Sequence, residues 1–76
     1  MAMIDDEADA LARETLALAQ ATGDAELVRQ ISDLLATSST VTQEAYMAAI
    51  RVHQAVARAR RFLADKRAAA GLPDKV

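Results

Sequence analysis

The sequence predicts an all-α fold: a small three-helix domain, in which two shorter N-terminal helices pack on one long C-terminal helix as a helical hairpin or bundle. Three observations predict it. First, Gln43 to Ala70 reads QEAYMAAIRVHQAVARARRFLADKRAAA, with no Gly or Pro inside. As one helix this run of about 28 good helix formers would be about 42 Å long. Second, apolar residues recur at alternating spacings of three and four, and no segment alternates with the period of a strand. Third, both glycines and the single proline fall where helix ends are expected.

The first helix is expected over residues 5–21. Asp5, Asp6, Glu7 and Asp9 crowd its opening turns, where the positive end of the helix dipole favours carboxylates, and Asp5 suits the N-cap. Its apolar stripe is Ile4, Ala8, Leu11, Thr15, Leu18 and Thr22, broadened by Ala12, Leu16 and Ala19. Thr22-Gly23-Asp24 then breaks the chain. Glycine suits a positive-φ position just past a helix, and aspartate suits the next cap. The pattern supports the break. The following cluster, Leu27, Val28, Ile31, Leu34 and Leu35, lies roughly 165° around a continuous helix from the first stripe, so one straight helix could not serve one core.

The second helix is expected over 25–36. As the densest run of large aliphatics it predicts the centre of the core at Ile31, Leu34 and Leu35. Thr37-Ser38-Ser39-Thr40 forms the next turn. The long helix is expected over 43–70, capped by Thr42, with Val41 and Tyr46 as a hydrophobic staple; Thr40 with Gln43 is a rival capping box. Its apolar stripe is Ala45, Ala49, Val52, Val56, Ala59 and Leu63, flanked by Tyr46 and Phe62, with Ile50 further round toward the wet face. Arg51, Gln54, Arg58, Arg61 and Asp65 occupy the opposite face. Lys66 and Arg67 suit the closing turns, Gly71 and Pro73 end the helix, and residues 72–76 read as a mobile tail. Two arrangements fit the lengths. The first two helices run end to end beside the whole long helix, or they fold into a bundle that leaves Phe62 and Leu63 needing cover from another chain.

Residues 1–76 make one domain with a thin core, because alanine supplies 19 of the 40 hydrophobic residues. Chains of this size lean on metals, disulfides, regular packing or a partner. With no cysteine, disulfides and thiolate metal sites are excluded. No stretch is long and apolar enough for a membrane span, and the acidic start lacks the basic and apolar regions of a signal peptide, so a cytoplasmic protein is expected. The net charge of −2 hides a division. Residues 1–44 carry nine acids and two bases, and residues 45–76 carry two acids and seven bases. The halves can complement each other within one chain or between antiparallel chains.

Catalytic chemistry finds little support. His53 is the only histidine and sits at the edge of the apolar stripe. Ile50 occupies the place where a Glu-x-x-His metal pair would need its glutamate. The acids of the first helix lack the alternating ligands and the glycine of a calcium loop. Ser38 and Ser39 stand in no motif that activates a nucleophile, and no glycine-rich phosphate loop exists. No cofactor, metal, membrane or small-molecule substrate is expected. The sequence instead predicts a small protein-interaction module, such as a regulator, chaperone, antitoxin or phage-type inhibitor. It would form a homodimer or a protein hetero-complex through Arg51, Val56, Arg58, Arg61, Phe62 and Leu63. The alternative is nucleic-acid binding along the basic stripe of Arg51, Arg58 and Arg61, extended by Arg60, Lys66 and Arg67. A negative overall charge and near-absence of stacking aromatics weigh against it.

Overall fold

Two helix-breaking glycines and one hydroxyl cap divide the chain. The computed structural model describes residues 3–73, with side chains described from Asp5 onward. It holds three helices: α1, Met3–Thr22; α2, Leu27–Ala36; and α3, Thr40–Ala69. No strand occurs among the described residues.

Gly23 adopts φ 71°, and the Asp24 N–H donates to Ala19 O at 3.1 Å, closing α1 as the glycine pattern predicts. The α3 terminus repeats the device at Gly71, φ 73°. There Gly71 N–H donates to Ala68 O and Leu72 N–H to Arg67 O. The Leu72 N–H thus closes the helix end; of the tail read from sequence, residues 74–76 lie outside the described residues.

Two starts differ from expectation. Asp24 stays outside α2: its Oδ1 accepts from the Glu26 N–H at 3.0 Å, so it closes the turn 24–26 and α2 begins at Leu27. The cap of α3 is Ser39, not Thr42 or Thr40. Ser39 is extended, at φ −159°, and its Oγ accepts from the Thr42 N–H at 3.1 Å. The helix thus starts three residues earlier than expected. Gln43, freed from a capping box, donates through Nε2 to Ser32 Oγ of α2 at 3.1 Å. The expected staple does not form, because Val41 is 62% exposed while Tyr46 is buried.

The core lies between α1 and α3. Ala8 and Ala12 of α1 pack with Tyr46 and Ile50 of α3, and Thr15 is buried beside them. Small residues on α1 let the two backbones approach, and the larger α3 side chains fill the space. Ile50, expected toward the wet face, is only 2% exposed, and Tyr46 is fully enclosed. The inward row of α3 is therefore Tyr46 and Ile50, both buried, continued by the half-buried His53, one residue on from the predicted Ala45, Ala49 and Val52. Area explains the shift. The observed row encloses a tyrosine and an isoleucine, whereas the predicted row would have offered two alanines and a valine, and the hydrophobic driving force scales with area.

Helix α2 is not the centre. Ile31 and Leu35 are half-buried against the core, and Leu34 is 66% exposed. With α1 packed on the Tyr46 row, α2 covers the core from one side, and hydrogen bonds from Tyr46 to Val28 O and from Gln43 to Ser32 tie it to α3. The pairs Val28–Tyr46 and Ser32–Gln43 run in opposite directions along the two helices, which makes α2 and α3 an antiparallel hairpin.

Both shorter helices pack on the first half of α3, so the arrangement that would line its whole length is not adopted. Every residue from Gln54 to Leu63 is exposed. The radius of gyration is 15.3 Å, against about 11 Å expected for a compact chain of this length.

Two stability tests follow. No neighbouring atom lies within 4 Å of a Cβ placed on Gly23, so Gly23→Ala meets only the backbone strain of its positive φ. It should destabilise by about 1 kcal/mol or more in thermal melts. Ile50→Val should cost about 0.5–1.5 kcal/mol, whereas Leu34→Ala should stay within about 0.5 kcal/mol of the parent in urea titrations. A larger loss at Leu34 than at Ile50 would return the core to α2.

Candidate functional site

Tyr46 joins the three helices. Its hydroxyl donates to Val28 O of α2 at 3.0 Å, and its ring sits among Ala8 and Ala12 of α1. Burial pushes its phenol above the ordinary range, with Thr15 close by acting in the opposite direction. Thr15 itself is buried yet satisfied, because its hydroxyl donates to Leu11 O at 2.8 Å.

A second tie crosses from α1 to α3. His53 Nε2 lies 2.7 Å from Asp9 Oδ1, and Arg13 pairs with the other Asp9 oxygen at 2.7 Å. The His53 hydrogen bond holds the Asp9 carboxyl below its ordinary range; partial desolvation opposes it, and the Arg13 charge assists. Stability from this tie is present above the usual carboxylate range and is lost as pH falls through the lowered value. His53 thus fills the core-edge place read from its position. The pairing partner had no sequence signal, since 44 residues separate the two. No hydrogen bond among the described residues carries this pair on to a hydroxyl, so it is a bridge between helices. Among the described residues no group of three His, Asp or Glu side chains comes together as a metal site.

The remaining feature is the second half of α3. Val52, Val56, Ala59 and Leu63 continue the apolar stripe with nothing packed on it. Val52 is 58% exposed, Val56 39%, Leu63 49%, and Phe62, on the flank, 61%. Lys66 Nζ stands 5.4 Å from the centre of the Phe62 ring, a cation–π contact that covers part of that side chain. Around the helix from the stripe, Arg51, Arg58 and Arg61 are all exposed, as are Arg60 and Lys66. The six residues named from sequence are thus all exposed but do not form one patch: Val56 and Leu63 lie on the apolar stripe, Phe62 on its flank, and the three arginines on the opposite face of the helix. Val52 belongs with the first group; it was assigned to the seam that contacts the other helices.

The charge division is not resolved by intramolecular pairing. Among the described residues, the ion pairs are Arg13–Asp9, Arg29–Glu26, Arg29–Asp33 and His53–Asp9. None joins an arginine or lysine of α3 to an acid of α1 or α2. The acids Asp5, Asp6, Glu7 and Glu14 remain exposed on α1. A shallow hollow of about 480 Å³ lies between the α1–α2 turn and α3, lined by Leu16, Ala19, Val28, His53 and Ala57 among others. No helix among the described residues is long and apolar enough to cross a membrane.

Tyr46 is the only tyrosine, so phenolate absorbance reports it alone. A raised folded pKa means stability is complete below the ordinary phenol value and declines as pH rises through the raised one. The alkaline titration of the folded protein should therefore be displaced upward from about 10, the value for a free phenol, with loss of helicity accompanying ionisation. Titration at the free-phenol value with helicity unchanged would contradict its burial.

Comparison with known proteins finds no matching family model, no matching characterised protein and no matching solved structure.

Proposed function

We propose that the chain is a small protein-interaction module that acts by binding a protein partner through the second half of α3. It would serve as a regulator, chaperone, antitoxin or phage-type inhibitor rather than as a catalyst. One observation carries this reading: a ten-residue stretch of helix, Gln54–Leu63, is exposed throughout and yet keeps an apolar stripe. Exposed aliphatic and aromatic side chains aligned on one face mark interaction sites more often than scattered ones do. Arg60 and Lys66, which border the stripe, suit an acidic partner surface, where complementary charge speeds encounter and fixes orientation. The lack of cysteine fits a reducing compartment, and we take the cytoplasm as its setting.

The exposed, unpaired Arg51, Arg58, Arg60, Arg61 and Lys66 favour a second reading, a helix laid along nucleic-acid phosphates. The two readings separate experimentally. The immobilised full chain is compared with Val56→Glu/Leu63→Glu and with Arg58→Glu/Arg61→Glu. Protein binding through the stripe predicts a captured partner that the first variant loses, with circular dichroism unchanged because neither site is in the core. Retention of duplex DNA at about 0.2 M salt, abolished by the arginine variant alone, would replace the proposal with the nucleic-acid reading.

A further inference from the structure

We infer that the stripe of α3 is covered by a second copy of this chain, in an antiparallel dimer that sets Val52 opposite Leu63 of the other copy and Val56 opposite Ala59. The inference rests on the interaction reading above and names the partner. Three independent features lead to it.

The first is register. Val52, Val56, Ala59 and Leu63 follow at spacings of four, three and four, the repeat of a helix that packs along another at a shallow angle. In antiparallel pairing this sequence is its own complement. The largest residue, Leu63, meets Val52 at each end, and the smallest, Ala59, meets Val56 at the centre. A two-fold interface requires one patch to match itself in this way.

The second is charge. Tyr46, His53 and Arg60 each follow a stripe residue by one position and Arg67 lies seven residues beyond Arg60, so the four form a row along one border of the stripe. That border is where α1 packs, since Tyr46 meets Ala8 and Ala12 and His53 meets Asp9. Antiparallel helices bring like borders face to face. The second copy's Arg60 and Arg67 therefore run along the border that carries α1, whose Asp5, Asp6 and Glu7 are exposed. A parallel pair would instead keep the second copy's Arg60 and Arg67 level with residues 60 and 67, beyond the part of α3, Tyr46 to His53, on which α1 packs. The acids of α1 and the bases of α3, unpaired within one chain, find each other between two.

The third is area. The chain presents 5753 Å², whereas a compact monomer of its mass presents about 4,500 Å². The excess exceeds the roughly 800 Å² per partner of a standard interface. The antiparallel register also lays each copy's α1 beside the other's bare half of α3.

The test uses the full chain. Sedimentation across a wide dilution series should show a dimer that dissociates to monomer, and added salt should weaken it. Val56→Arg should raise the dissociation constant at least about tenfold while helicity is kept, because Val56 lies outside the core. The chain has no cysteine, so cross-linking can read the register. A mixture of Val52→Cys and Leu63→Cys chains should form a mixed disulfide faster than either variant links to itself. A monomeric mass at every concentration overturns the inference, as does preferential self-linking of Val52→Cys, the mark of parallel pairing. Failure here is distinguishable from failure of the interaction reading: a monomer that still captures a protein through the stripe, lost in Val56→Glu/Leu63→Glu, overturns only the identity of the partner.

Discussion

Enclosure of Tyr46 is the constraint on which the other contacts depend. A phenol out of water requires a hydrogen-bond acceptor, and Val28 O supplies it, which fixes α2 against α3. The ring requires small neighbours, and Ala8 and Ala12 supply them, which fixes α1. Once Tyr46 is inward, Ile50 follows on the next turn and His53 on the turn after, where Asp9 meets it. The stripe beginning at Ala45 is then rotated by about 100° from the core. Its first alanines are half-covered by the edge of the bundle, while its later members, with no helix beside them, are left bare.

Much of this was legible in the sequence. Helix number, the break at Gly23 and the glycine stop at Gly71 follow from backbone chemistry, because positive φ is local and nearly specific to glycine. The face of α3 that packs was not legible. A periodic pattern counts each apolar residue equally, and so it chose the row with most members over the row with most area. Leu34 was misplaced for a related reason: a dense aliphatic cluster marks a sticky helix without saying which edge another helix will reach. The cap at Ser39 was hidden among four consecutive hydroxyl residues, each able to serve. The exposure of Phe62 and Leu63 was anticipated for the bundle arrangement from length alone, since α3 outreaches its neighbours.

The fold thus separates into two parts. The first half of α3, with α1 and α2, holds the enclosed side chains, the Tyr46 and Gln43 hydrogen bonds and the Asp9–His53 tie. The second half carries good helix formers and a glycine stop, but no cover. Isolated helical segments of this length are marginal in water, so its order draws on continuity with the packed half. Association through the stripe would add burial where the single chain supplies none.

Amide hydrogen exchange along α3, measured across a dilution series, tests that separation most directly. The account predicts that amides from Tyr46 to His53 exchange slowest at every concentration. Those beyond Ala57 should exchange faster at low concentration and become protected as the chains associate. Equal protection along the whole of α3 at every dilution, or fastest exchange around Tyr46, would contradict it.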